Sequence, residues 1–129
     1  MMNGDTTDPS RQAKVRLVEQ YLDGLRRGDL SGAALAPDVT FQGPTTLPLH
    51  GREAVTAFLT AQAPAIRDIR IHRHVVEGNH VVTLFDYDTV HGVIQVLDLF
   101  EVADGHLRSI RPFFDSTALR SGSSQGAPS

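Results

Sequence analysis

Cysteine is absent from the 129 residues, which excludes disulfides, thiolate metal sites and cysteine nucleophiles. A basic excess is absent too. The chain sets 12 Lys and Arg against 15 Asp and Glu, a net charge of −3 with histidine neutral, unlike the footprint of a nucleic-acid binder. No apolar run approaches the roughly 20 residues that cross a bilayer. The opening stretch from Met1 to Gln12 is polar and carries acids, so it does not read as a secretory leader. The expected compartment is the cytoplasm, with neither nucleic acid nor membrane as a partner. A phosphate-binding glycine loop, a serine-nucleophile elbow and an internal repeat are also missing. What is present is 40% hydrophobic residues, enough for one core at a length that fits one domain.

Residues 1–10 read as a flexible N-terminus closed by Asp8-Pro9, and residues 120–129 as a disordered tail. Ser121 to Ser129 is rich in Ser and Gly and has no large apolar group to offset the entropy of ordering. The folded domain is expected over 11–119. Val15, Val18, Tyr21, Leu22 and Leu25 share one face of a helix over 12–27, which Gly28 stops. Asp29-Leu30 is predicted to open a short second helix ended near Pro37, followed by a strand over 38–42. Gly51 opens a third helix with Ala54, Val55, Phe58 and Leu59 as its buried stripe, ended by Pro64. The rest reads as four meandering strands with turns at Gly78-Asn79, His91-Gly92 and Asp104-Gly105. Helices first and antiparallel strands last predict an α+β fold.

Hairpin geometry assigns faces. A Gly78-Asn79 loop sets His74 against Thr83 and His72 against Phe85. A His91-Gly92 loop sets Phe85 against Asp98. One face then carries His72, His74, Val81, Thr83, Phe85, Tyr87, Ile94, Val96, Asp98 and Phe100. The other carries Val82, Leu84, Asp86, Asp88, Val93, Leu97 and Leu99. A two-residue loop at Asp104-Gly105 would put Arg111 on the Asp98 face. A three-residue loop with Gly105 as a bulge would put Ile110, Pro112 and Phe114 there instead. The second is preferred because it keeps that face apolar, and Pro112 should make the last strand irregular nearby.

Asp98 is the informative residue. It is flanked on its own face by Val96 and Phe100, where a carboxylate is costly unless paired, hydrogen-bonded or protonated. It is either a structural acid bonded to a neighbour or a pocket carboxyl with a raised pKa. Tyr21 is either core or a donor into the pocket. His72 and His74, two apart on a strand, share a face. They lack a third ligand for a metal and lie roughly 10 Å from Asp98 at ordinary strand spacing, so they read as general-base candidates or as solvated edge residues. No cofactor or metal is expected.

Tyr21 with Gly28-Asp29 seven residues on, then Ala36-Pro37-Asp38-Val39-Thr40-Phe41, then Leu49-His50-Gly51-Arg52-Glu53-Ala54, resembles the nuclear-transport-factor-2-like superfamily. Ketosteroid isomerases, SnoaL-like polyketide cyclases and limonene epoxide hydrolases belong to it. The run Ala103-Asp104-Gly105-His106-Leu107 through Ile110-Arg111-Pro112-Phe113-Phe114-Asp115 is similar to SnoaL-like members. The resemblance spans about 12–119. It implies a cystatin-like curved antiparallel sheet, a half-barrel, enclosing helices around a concave apolar pocket. Tyr21 and Asp98 match the oxyanion-hole tyrosine and aspartic acid of the isomerases. The general-base aspartate position falls on Gly43, and the last-strand aspartate of the hydrolases falls on Pro112. Asp115 matches a common family position near the end of the last strand.

The expected function is that of a SnoaL-like enzyme acting on an apolar carbonyl- or hydroxyl-bearing metabolite by isomerisation, cyclisation or dehydration. Tyr21 and Asp98 would stabilise charge on a ligand oxygen while His72 or His74 moves the proton. Phe41, Phe58, Thr83, Phe85, Tyr87, Val96, Phe100, Ile110, Pro112 and Phe114 are the expected ligand contacts. The alternative is a non-catalytic binding or dimerisation module with the same pocket, favoured by the missing base at Gly43. The apolar convex face, with Val82, Leu84, Val93, Leu97 and Leu99, predicts a homodimer.

Overall fold

The computed structural model describes residues 9–115. Expectations for 1–8 and 116–129 lie outside them. Helix α1 spans Pro9–Arg27. It starts earlier than its apolar periodicity indicates, because proline suits the first turn, where its missing N–H needs no partner. It ends at Gly28, whose φ of 73° lets two hydrogen bonds close the last turn: Gly28 N–H to Leu25 O at 3.2 Å and Asp29 N–H to Gly24 O at 2.9 Å. This 5→2 plus 6→1 pair is the Schellman arrangement.

The predicted second helix does not form. Residues 29–34 are turns and irregular backbone, with Asp29 Oδ1 accepting from the Ser31 N–H at 3.0 Å. That local bond competes with helix. Strand β1 is correspondingly longer than expected, Leu35–Phe41, and pairs with the two-residue β2, Leu49–His50. Helix α2 spans Arg52–Gln62 and runs into a 3-10 turn at Ala63–Ala65. Val55 and Leu59 are buried, Phe58 is half-buried, and Ala54 is exposed, against expectation. The meander follows as β3 (Ile66–Glu77), β4 (His80–Thr89), β5 (Gly92–Ala103) and β6 (His106–Phe113). The sheet order is β2-β1-β6-β5-β4-β3. All pairs are antiparallel except β1 with β6, a parallel contact the sequence did not suggest.

The register departs from expectation at three places. First, Glu77 pairs with His80 and His74 with Thr83 as expected, but Ile71 rather than His72 pairs with Phe85. A bulge absorbs His72 and turns its side chain to the convex face. Second, the β4–β5 loop is Val90-His91, since Thr89 pairs with Gly92. Thr89 Oγ1 closes it, donating to Gly92 O at 2.7 Å and accepting from His91 N–H at 3.0 Å. Phe85 therefore faces Val96, and Thr83 faces Asp98. The slip is of two residues, so every side chain keeps its face. Third, Asp104 (φ 53°) and Gly105 (φ 75°) form a two-residue loop, with Ala103 paired to His106. Ile110 and Pro112 still reach the Asp98 face, because a bulge between the Val102–Leu107 and Glu101–Ser109 pairs resets the alternation. The irregularity lies there, and pairing continues through Pro112.

These bulges, with a further one at Arg67, curve the sheet around α1 and α2. The core is its concave face: Val81, Phe85, Val96, Phe100 and Ile110 against Val18, Tyr21, Leu22 and Leu25, all buried. Each fully buried Leu, Val or Phe contributes about 1.5–3 kcal/mol. The outer edge of β3 is covered by cations from α1. Arg11, Lys14 and Arg26 donate to the carbonyls of His74, Gly78 and Ile69 at 3.5, 2.6 and 2.6 Å. An exposed edge is thereby blunted against pairing with another chain. No helix among the described residues is long and apolar enough to cross a membrane.

Candidate functional site

A single row of side chains crosses the concave face, from His74 on β3 to Thr83 on β4, Asp98 on β5 and Pro112 on β6. Asp98 is 2% exposed, and its Oδ1 has no hydrogen-bond partner among the described residues. Desolvation alone pushes its carboxyl up to about 8, so at neutral pH the group is mostly a carboxylic acid. Tyr21 is 1% exposed. It packs edge-on to Phe100 at 5.6 Å between centroids. Its pKa is raised well above the ordinary tyrosine value by burial, then by the charges of Tyr87 and Asp98. Tyr87 is raised by burial and then by Asp98. The Asp98 charge therefore opposes ionisation of both phenols, and that of Tyr87 opposes ionisation of Tyr21.

The two histidines part company. His72 Nε2 lies 3.0 Å from Asp86 Oδ2 on the convex face and its side chain is 44% exposed, so it cannot serve the concave side. His74 faces inward, with a side chain 11% exposed. Its Nδ1 is 2.8 Å from Thr83 Oγ1 and its Nε2 is 3.1 Å from Glu19 Oε2. Among the described residues no group of three His, Asp or Glu is placed to hold a metal ion.

Beside this row a cavity of about 550 Å³ opens between the sheet and the two helices, within the roughly 300–1,000 Å³ of small-molecule sites. Phe41, Phe58, Tyr87, Val96, Pro112 and Phe114 line it. Thr83, Phe85, Phe100 and Ile110 do not: they are fully buried in the core. Tyr21, Asp98 and His74 are also outside the lining. Asp98 stands behind it, paired with Pro112 and two residues beyond Val96 on the same face. Tyr21 is one helical turn behind Leu25, which lines the cavity. Tyr87 joins both regions, as a wall residue whose phenol feels the Asp98 charge.

The rim adds polar groups that alternation did not reveal: Thr45, Thr46, Gln62 and His91. They come from loops and a helix end, where no periodicity marks a direction. His91 carried one legible signal, its place in a hairpin loop at the end of inward-facing Tyr87. Gly43 and Pro112 also line the wall. A Cβ on Gly43 would meet Pro112 Cγ and Thr46 Oγ1 at 3.5 Å, ordinary contact, so this wall has room for a side chain it does not carry.

A family model described as a SnoaL-like domain matches residues 18–110. Among solved structures, an epoxide hydrolase of the limonene-epoxide-hydrolase-like kind from M. tuberculosis aligns at 25% identity and a TM-score of 0.72, over 88% of this chain and 91% of its own. A protein from Jannaschia sp. CCS1, assigned as a SnoaL-like polyketide cyclase, aligns at 18% identity and 0.73, over 90% and 94%. A de novo designed protein with a curved β-sheet aligns at 22% and 0.76, over 88% and 93%. That a designed scaffold fits as well as the others shows that the backbone alone does not specify an activity. No curated protein matches.

Proposed function

The chain belongs to the SnoaL-like family, and from that premise we propose that it takes a small, largely apolar molecule bearing a carbonyl or hydroxyl oxygen into the cavity and moves a proton on it, as an isomerase, cyclase or dehydratase does. The observation that carries this reading is Asp98, an acid buried behind the cavity wall with an oxygen that no group among the described residues satisfies. An unsatisfied buried carboxyl needs an explanation beyond packing. A proton donor held un-ionised behind the wall residue Tyr87 is one.

The chemistry follows from the environment. Loss of a proton from carbon next to a carbonyl places negative charge on the oxygen. Tyr87 at the wall, with Asp98 and Tyr21 behind it, offers neutral donors in a water-poor setting where such stabilisation is strongest. The wall has no carboxylate at Gly43 or Pro112. His91, the imidazole among the lining residues, is assigned the role of proton acceptor in place of His72 and His74. Hydrolysis of the kind named for one neighbour is disfavoured, because Pro112 stands where the resemblance places an activating aspartate.

The test is uptake of solvent deuterium by apolar ketones and enones incubated with the protein, followed by NMR. Tyr87→Phe and Asp98→Asn should keep the fold and lose about 10²–10³ in rate, as removal of one oxyanion donor does. Unchanged rates in both variants would remove the mechanism. A second reading, binding without turnover, is favoured by Gly43 and Pro112 occupying the places where the family carries its bases. It predicts that the same compounds raise the melting temperature with no deuterium uptake. We also propose a homodimer through the convex face, where Val75, Leu97 and Phe113 are 51%, 37% and 44% exposed, in the cytoplasm.

A further inference from the structure

The row that holds Asp98 does not stop at Thr83. Thr83 is fully buried and its Oγ1 sits 2.8 Å from His74 Nδ1. The other ring nitrogen, Nε2, is 3.1 Å from Glu19 Oε2, on a half-exposed side chain of α1. Glu19, His74, Thr83 and Asp98 thus succeed one another from the surface to the acid. We propose that Glu19, His74 and Thr83 form a line that carries a proton between solvent and Asp98, with the Thr83 hydroxyl as its last relay. The inference rests on the reading of Asp98 as a working acid.

A threonine hydroxyl has one proton and two lone pairs. When His74 carries only the Nε2 proton, that N–H donates to Glu19. The bare Nδ1 then accepts from Thr83, whose proton points away from Asp98. When His74 is an imidazolium, its Nδ1–H donates to Thr83 Oγ1, and the hydroxyl proton is free to turn toward Asp98. Side chains directly opposite across an antiparallel pair have Cβ atoms about 4.5–5.5 Å apart. A rotation of the threonine, or one bridging water, closes the remaining step. The transfer then balances. Nδ1–H passes its proton to Oγ1 as Oγ1 passes its own to Asp98 Oδ1. Imidazolium and carboxylate become the Nε2–H imidazole and carboxylic acid, and His74 regains its charge when a turn of the ring presents the bare Nδ1 to Glu19 or solvent for protonation and the ring turns back. Imidazole is suited to this shuttling near neutral pH.

Other groups face the acid. From α1 come Tyr21 and, beyond His74, Glu19. From β4 come Tyr87 and Thr83. Pro112 of β6 and the same-face neighbours Val96 and Phe100 bring no charge. Arg11 of α1 donates to the His74 carbonyl at 3.5 Å. Tyr21 is enclosed and Tyr87 opens onto the cavity, whereas His74 leads to Glu19 on the outer surface.

The experiment uses the full chain without ligand, so it is independent of turnover. Aspartate is labelled with ¹³C at Cγ, and the Asp98 resonance is assigned from its loss in Asp98→Asn. From about pH 5 to about pH 10 the wild-type resonance should move as one line, because protonated and ionised forms exchange quickly. In Thr83→Val and in His74→Gln it should split into two lines that trade intensity, exchange having slowed by about tenfold or more. Thr83→Ser, which keeps the hydroxyl, should behave as wild type. One moving line at the wild-type exchange rate in both Thr83→Val and His74→Gln overturns the proposal. So does an Asp98 resonance that never titrates. Deuterium uptake lost in Asp98→Asn but unaltered exchange in Thr83→Val would sink the proton line and leave the function standing.

Discussion

Replacing Asp98 by Asn should stabilise the protein by an amount that grows as pH rises from about 4 to about 8 and is constant above that. The unfolded chain ionises this carboxyl near about pH 4, whereas burial in the fold pushes it up to about 8. Between those values the folded state keeps a proton that the unfolded state has released, so stability declines as pH rises. The sign is that of a raised folded pKa. The favourable contribution is whole below the unfolded value and is lost by the time pH has passed the folded one. Each pH unit of that window is worth about 1.4 kcal/mol, so moving from about pH 5 to about pH 8 removes about 4 kcal/mol. A single domain has about 5–15 kcal/mol in all, so the effect is large. Asparagine has nearly the same shape and no titrating proton. Its own unsatisfied amide adds an offset that does not vary with pH. Urea unfolding of both proteins at matched pH gives a difference in which other titrating groups cancel. That difference should climb toward a slope of about 1.4 kcal/mol per unit and flatten above about pH 8. Parallel curves would refute the reasoning, because they would mean that the carboxyl is solvated or paired in the fold.

Gly24→Ala should cost about 2–3 kcal/mol by thermal or urea unfolding, because its Cβ would lie 2.8 Å from Asp29 O and 2.9 Å from Leu30 Cδ2, in a turn fixed by the Asp29 N–H bond to Gly24 O. His72→Ala should change stability by less than about 1 kcal/mol and leave deuterium uptake intact, since its pair with Asp86 is half-exposed; a large loss of uptake would return His72 to the site. Leu97→Asp should give a folded monomer by sedimentation if the convex face is the dimer contact, and an unaltered dimer would move that contact elsewhere. Gly43→Ala should keep the melting temperature within a few degrees, given the room at its Cβ, and weaken binding of the bulkiest cavity ligands.

What the sequence made legible was direction, and what it hid was depth. Alternation placed Thr83, Phe85 and Tyr87 on one face, and all three are there. Yet Thr83 and Phe85 are sealed in the core while Tyr87 meets the cavity. That difference depends on where α1 and α2 end against the sheet, a relation between distant segments that no local pattern encodes. Direction itself failed at His72, and the signal was present: inward Ile69 and Ile71 stand at odd positions, while the Gly78-Asn79 hairpin requires His74 and Val76 inward at even ones. A strand cannot satisfy both without an extra residue, and the bulge at His72 supplies it. The Asp104-Gly105 hairpin shows the same conflict, solved by a bulge in the strand rather than in the loop. In both places the burial of apolar side chains overrode regular pairing, because exposing a strand's whole inward set costs far more than one unpaired backbone site. Asp98 is the one position where that rule runs backwards. The bulge that keeps Ile110 and Pro112 inward also encloses the acid beside them, so apolar burial here works against its neighbour's charge. A fold under selection for stability alone would replace that acid with a leucine or a methionine of similar volume, so packing does not account for its presence in the row, and the proposed proton chemistry does.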